Sequence, residues 1–229
     1  MDIEFNDFFN RQIKLWGQDT QDSLQGKSIA IIGSGGLGCS LAIALGASGI
    51  GRIALVDFDE VGVHNIHRQI GFRVGDDGRY KCEVLKELVE SRCPFVKAEA
   101  YKMGFNEFVE EVDATQFDLI IDATDNLPTR GDINAYAKKN NIPWLYGSVE
   151  SFHGQVCFFE KASYESVFKI TDRTPAGIAC PIVMNIASLQ ANIVIRYLTG
   201  LPIKKDYLYY CFFNEEGEYT LQKFGLPTD

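Results

Sequence analysis

The stretch Ile29-Ala30-Ile31-Ile32-Gly33-Ser34-Gly35-Gly36-Leu37-Gly38 passes from an unbroken apolar run into a glycine loop, and Ile53-Ala54-Leu55-Val56-Asp57 follows as a second apolar run that ends on a carboxylate. Short continuous apolar runs bounded by glycine read as strands buried on both faces. The segment between them, residues 36–48, reads as a helix closed by Gly49 and Gly51. Strand, glycine turn, helix and second strand together form a unit suited to holding a nucleotide. Gly33 and Gly35 permit a tight turn and a close backbone approach, and Gly38 lets the helix pack on the sheet. Free N–H groups at the helix start would face phosphates, and Asp57 suits a ribose hydroxyl. On this loop alone a nicotinamide dehydrogenase is the default reading.

Outward from the loop, residues 6–24 read as an irregular helical lead-in anchored by Phe8, Phe9, Ile13, Leu15 and Trp16. Residues 58–78 read as a long loop or short helical turns rich in Gly, His and Arg. A helix over 79–92, a strand over 96–101 and a helix near 106–113 come next. Residues 117–122 form a buried strand, 128–140 a helix with Pro128 in its first turn, and 143–147 and 155–159 two strands. Residues 161–177 are polar and read as a flexible loop. A helix over 181–199 stops at Gly200, and 206–213 and 218–223 are strands. Strands that alternate with helices predict an α/β fold: a Rossmann-like, doubly wound, mostly parallel sheet with an antiparallel C-terminal extension. We expect a single domain over 1–229, with a lead-in (1–25), a nucleotide-binding core (26–160), a crossover loop (161–180) and a C-terminal helix and strands (181–229).

Composition narrows the function. The 229 residues are 46% hydrophobic and 23% charged, with a net charge of −9. That balance argues against general nucleic-acid binding, which needs a basic stripe. No apolar run approaches the roughly 20 residues of a membrane span. The acidic, aromatic start, Met1 to Asn10, is unlike a signal peptide. Six cysteines, at 39, 82, 93, 157, 180 and 211, form no C-x-x-C pair, which disfavours structural zinc and a disulfide framework and implies a reducing cytoplasm.

The residues after the second strand move the reading away from hydride transfer. Asn65, Arg68 and Lys81 lie in or beside the loop there. A dehydrogenase has little use for a polyphosphate-binding cluster, whereas an enzyme that cleaves a triphosphate needs one, because charge develops on phosphate oxygens. Asp125 follows the strand over 117–122. With Asp57 it lies at strand carboxyl ends, where open α/β sheets bind ligands. Carboxylates and basic groups around a triphosphate suit magnesium-assisted nucleotidyl transfer.

With these residues assembled, the chain resembles the ThiF/MoeB family, which is related to the ubiquitin-activating enzymes. The likeness rests on Arg11-Gln12-Ile13, the loop Gly33 to Gly38, Asp57-Phe58-Asp59, Asn65-Ile66-His67-Arg68-Gln69, Gly78-Arg79-Tyr80-Lys81 and Asp122-Ala123-Thr124-Asp125-Asn126, in order along most of the chain. It implies an ATP-dependent adenylyltransferase that activates the C-terminal Gly-Gly carboxylate of a small ubiquitin-like sulfur carrier for thiamine or molybdopterin synthesis. In that case Gly35 and Gly36 approach the phosphates, Asp57 holds the ribose, Asn65, Arg68 and Lys81 grip the phosphates, and Asp125 holds magnesium. Arg11 resembles the arginine that reaches into a neighbouring subunit's site, which implies a homodimer. A cysteine desulfurase or sulfurtransferase is a further implied partner. An acceptor carboxylate on tRNA, or a non-catalytic activating-enzyme subunit, is an alternative.

Two departures stand out. Many relatives hold zinc with two C-x-x-C pairs; here Ser163-Tyr164-Glu165-Ser166 stands in the first place and the second pair is missing, so no zinc is expected. Sulfur-transferring relatives carry a cysteine shortly before an Ala-Gly pair; here Arg173 precedes Ala176-Gly177, and the nearest cysteine is Cys180. Cys180 reads either as the N-cap of the last long helix, where the helix dipole would lower a thiol pKa, or as a small packed residue. Asp59 reads as a ribose or magnesium contact or as surface. His64 and His67 read as loop packing, and His153 has no obvious partner.

Overall fold

The computed structural model describes residues 3–169 and 176–228. Three short helices, α1 (Phe5–Phe8), α2 (Asn10–Trp16) and α3 (Gln18–Gln25), lead into β1 (Ser28–Ile32). There follow α4 (Gly36–Gly46), β2 (Arg52–Val56), α5 (Lys81–Arg92), β3 (Lys97–Tyr101), α6 (Phe105–Glu111), β4 (Leu119–Asp122) and α7 (Leu127–Asn140). The chain continues through β5 (Trp144–Glu150), β6 (His153–Phe159), α8 (Tyr164–Val167), α9 (Cys180–Leu198), β7 (Tyr207–Phe213) and β8 (Tyr219–Gly225).

The eight strands form one sheet in the order β3-β2-β1-β4-β5-β6-β7-β8. The first five are parallel. From β5 to β8 each pair is antiparallel. The expected mostly parallel sheet with an antiparallel extension is therefore the observed one. Strand alternation divides the apolar residues between two layers. Ile29, Ile31, Ile53 and Leu55 face α4, α5 and α9. Ala30, Ile32, Ala54 and Val56 face α6 and α7. A strand covered on both faces has no solvent side, which is why these runs are continuously apolar rather than alternating.

The strand order reverses between β1 and β4, and a crevice opens there beyond the carboxyl ends. Asp122, the last residue of β4, is completely buried at this point. Its Oδ2 accepts from Arg130 Nε at 3.0 Å, and its Oδ1 accepts from the N–H of Thr124 at 2.9 Å and its hydroxyl at 2.6 Å. Arg130, itself buried, also donates to the carbonyls of Thr124 and Gly147. One ion pair thus joins β4, α7 and β5. Desolvation works against the Arg130 charge, but Asp122, Tyr146 and Tyr164 together outweigh it and raise its pKa.

The structure departs from the sequence reading in several places. The stretch expected as a loop over 161–177 contains α8, whose Tyr164 is 1% exposed and packs against Trp144, Tyr146 and Phe168. An aromatic cluster there outweighs the polar composition of the segment. Arg173 lies outside the described residues. Leu15, expected as an anchor of the lead-in, is 75% exposed. The anchoring is done by Phe9 and by Gln21, which is buried, accepts from Gln12 Nε2 and Trp16 Nε1, and donates to Ser48 O. β5 and β6 are longer than expected and meet in a tight hairpin with Ser151 at φ 52. Among the described residues, no helix is long and apolar enough to cross a membrane.

Removing Arg130 while leaving Asp122 would strand a buried charge. We expect Arg130→Met to lower unfolding free energy by about 3–5 kcal/mol in urea titrations. Adding Asp122→Asn to Arg130→Met should restore part of the loss, because the two residues act as one unit.

Candidate nucleotide-binding site

The glycine loop lies at the carboxyl end of β1, and Gly33, Gly36 and Gly38 have separate reasons to be small. Gly33 has φ +95, and a Cβ there would sit 2.8 Å from the Ala123 carbonyl oxygen. At Gly38 a Cβ would come within 2.0 Å of the Gly33 carbonyl oxygen, so this glycine first closes the loop on itself; the sheet side, at Ala123 Cβ, is 3.7 Å away. Gly36 admits Val183 of α9, whose Cγ1 would be 2.9 Å from an added Cβ. Its size therefore serves packing as well as any approach by phosphate. Gly35 meets only Gln69 Nε2, at 3.5 Å. No side chain caps the start of α4, which leaves its first N–H groups to a ligand.

Asp57 follows β2 and ties the loop down. Its Oδ2 accepts from Ser34 N at 2.6 Å and its Oδ1 from Asp59 N at 2.7 Å. Burial pushes its pKa up, opposed by those two N–H donors and by Lys81. Each carboxylate oxygen keeps a lone pair, so a ribose hydroxyl can still be accepted. Asp59, read from sequence as ribose contact, magnesium contact or surface, is exposed, lines the cleft and pairs with Lys81: Lys81 Nζ donates to Asp59 Oδ2 at 2.7 Å, and Lys81 N to Asp59 O at 2.9 Å. Lys81 is 5% exposed. A lysine head buried this deeply needs an anion beside it, and Asp59 provides one.

Asn65 does not line the cleft; its Oδ1 accepts from Arg68 Nη2 at 3.0 Å and so aims the guanidinium. Arg68 Nη1 also meets His67 Nε2 at 2.9 Å, which gives His67 a role beyond loop packing. Arg68, Lys81 and Asp125 line one cleft of about 910 Å³ with Gly33, Gly35 and Asp57. The cleft fits a nucleotide triphosphate on two observations. Gln69, which lines it, has a buried Oε1 without a hydrogen-bond partner, and two cations, Arg68 and Lys81, line it together with an exposed carboxylate, Asp125. Magnesium is held by one or two carboxylates plus phosphate oxygens, and Asp125 is of that type.

Other expected residues lie apart. Arg11 is exposed on α2 and does not line its own chain's cleft. Cys180 is the first residue of α9 rather than its cap; the cap position is Ala179. It is half-buried and does not line the cleft. The other five cysteines are buried, and burial pushes Cys39 up to about 12 and Cys82 to about 11, which makes them poor nucleophiles. Ser163, Glu165 and Ser166 bond to one another and to Asn134. Nearby, the Asp206 carboxylate accepts the N–H groups of Glu160, Lys161 and Ala162 at 2.9–3.1 Å, joining the end of β6 to the start of β7. Among the described residues, no group of three or more His, Cys, Asp or Glu is placed to hold a metal ion. Gln69 and Arg130 both line the cleft and were given no role from sequence. Gln69 sits within the quoted Asn65–Gln69 motif, whereas nothing local to Arg130 signals its partner on β4.

The glycines should separate by mutation. Gly38→Ala should cost about 1–3 kcal/mol of stability in urea titrations, while Gly35→Ala should leave the midpoint unchanged.

Residues 9–224 match the ThiF family. The chain is 34% identical over 194 residues to the adenylyltransferase and sulfurtransferase MOCS3 of Dictyostelium discoideum, covering 80% of this chain and 46% of that protein. It is 30% identical over 204 residues to the sulfur carrier protein ThiS adenylyltransferase of Escherichia coli, covering 84% of this chain and 81% of that one. The chain thus spans about half the length of the Dictyostelium protein and of other curated relatives it matches. Among solved structures, E. coli MccB with ATP superposes with a TM-score of 0.83 at 22% identity, over 96% of this chain and 72% of that one, a likeness that establishes the fold alone. A match spanning nearly the whole chain, on a sheet whose switch point carries this loop and this set of charges, makes the chain a member of the ThiF family.

Proposed function

We propose that the chain is an ATP-dependent adenylyltransferase that activates the C-terminal Gly-Gly carboxylate of a ubiquitin-like sulfur carrier as an acyl-adenylate, for thiamine or molybdopterin biosynthesis. The single observation that carries this reading is the cleft itself. One cavity joins the glycine loop, Asp57, two cations aimed by their neighbours, and the exposed Asp125. The names of the relatives point the same way.

The chemistry asks little covalent work of the protein. The carrier carboxylate attacks the α-phosphorus, the bond to the bridging oxygen breaks, and pyrophosphate leaves with that electron pair. Arg68 and Lys81 neutralise charge as it builds on the phosphate oxygens, and the N–H groups at the start of α4 orient the phosphates. Lys81 has to exchange Asp59 for phosphate, and the ion pair with Asp59 holds its ammonium in place beforehand. Magnesium bound at Asp125 would supply further neutralisation of the triphosphate. Asp57 holds the ribose, with its remaining lone pairs as acceptors.

The proposal extends to assembly. The enzyme is a cytoplasmic homodimer in which Arg11 serves the neighbouring site, and it works with a cysteine desulfurase or sulfurtransferase. No zinc is needed to join the segments after β6 and before β7, because Asp206 joins them by hydrogen bonds.

ATP–pyrophosphate exchange with ubiquitin-like carriers ending in Gly-Gly tests the activity; silence with every carrier sinks it. Arg68→Ala should slow exchange about 100-fold or more with a smaller effect on ATP affinity, and near-normal exchange would remove its assigned role. Gly35→Ala should weaken ATP binding without lowering the midpoint. Metal analysis should find no stoichiometric zinc, and a chelator should leave the melting temperature unchanged.

A further inference from the structure

A second cavity opens at the other end of β5. The nucleotide cleft takes Ser148, Val149 and Glu150 from the carboxyl end of that strand, whereas this cavity, of about 280 Å³, lies at its amino end beside Trp144. No residue lines both. One wall is the last two turns of α7, with Ala137 and Lys138. The other is the paired ends of β5 and β6, where Trp144 stands opposite Phe159 and their rings stack at 4.8 Å and 12°.

The acceptors around this cavity are largely taken. Glu160, the one acid that lines it, pairs with Lys205. The Asn134 side-chain oxygen accepts from Tyr164 N. At the end of α7 the carbonyls of Ala137 and Lys138 accept from the N–H groups of Ile142 and Asn141. Donors are left over. Trp144 is 2% exposed, yet its indole N–H meets no acceptor among the described residues. A buried tryptophan normally gives that proton to a partner. The nitrogen is not sealed in the core, and the cavity is where Trp144 meets open space. Lys138 and Lys161, both exposed at the rim, form no ion pair among the described residues.

We propose that this cavity is a binding site for a small organic carboxylate, separate from the nucleotide cleft. The carboxylate accepts from the Trp144 indole N–H and meets the ammonium groups of Lys138 and Lys161, while its apolar body lies against Ala137, Ile142 and Phe159. Two unpaired cations and one unused donor, with the only acid already neutralised, select for negative charge. Apolar walls around a few convergent polar groups are the usual make-up of a small-molecule site. The same walls disfavour inorganic phosphate, which has no apolar part to bury and more charge to desolvate.

The test uses the full chain, isotope-labelled so that its two tryptophans give two indole N–H signals by NMR. The Trp16 indole donates to Gln21 and serves as the internal reference; Trp16→Phe assigns the pair. Benzoate is the probe, titrated at constant ionic strength. It should move the Trp144 signal saturably and leave the Trp16 signal in place. Benzamide, its neutral counterpart, and inorganic phosphate should move neither. Lys138→Gln combined with Lys161→Gln should raise the half-saturating benzoate concentration about tenfold, the worth of two exposed ion pairs, at an unchanged melting temperature. An unmoved Trp144 signal, an equal response to benzamide or to phosphate, or an unaltered half-saturation in the double variant would overturn the proposal.

Discussion

Everything at the site hangs on the buried pair of Asp122 and Arg130. A carboxylate with no solvent exposure is tolerated only when it is paired and hydrogen-bonded, and here Arg130 pairs with one oxygen while Thr124 donates twice to the other. The consequence is geometric. Asp122 ends β4, Arg130 lies on α7, and the guanidinium reaches the Thr124 and Gly147 carbonyls, so the pair ties β4 to β5 beside the crevice that opens between β1 and β4. Thr124 and Asp125 follow directly from it, and Asp125 reaches the cleft because Asp122 cannot move.

The opposite wall is held by the same means. Asp57 restrains the loop through Ser34 N and the next turn through Asp59 N, and Asp59 in turn holds Lys81. Two carboxylates thus organise one side of a phosphate site whose own charges are cationic. Each acid sits beside a donor it needs, and each donor faces the cleft or the backbone that shapes it. A site of this kind is assembled before its ligand arrives, so binding need not also order the side chains.

Much of the fold was legible in the residues. Continuous apolar runs at 29–32 and 53–56 signal strands covered on both faces, and the glycines between mark the turn, because these are local constraints on backbone and burial. Candidate site residues could likewise be picked out: Arg68, Lys81, Asp57 and Asp125 do converge on one cleft. Illegible were the relations between residues far apart in sequence. Lys81 is 22 positions from Asp59, and His153 is 57 from Tyr210. Polar composition over 161–177 hid α8, since Tyr164 packs against Trp144 and Tyr146, which arrive from β5.

The sequence by itself determined the element types, the glycine turn and the charges available to a phosphate, because backbone freedom, burial period and side-chain chemistry are properties of neighbouring residues. Tertiary structure alone decided what each charge does. Asn65 became the holder of Arg68, Asp59 the holder of Lys81, and Gly36 a seat for Val183. Those roles follow from ångström-scale distances between separate elements, and such distances exist only once the sheet has set its strand order and the helices have packed upon it.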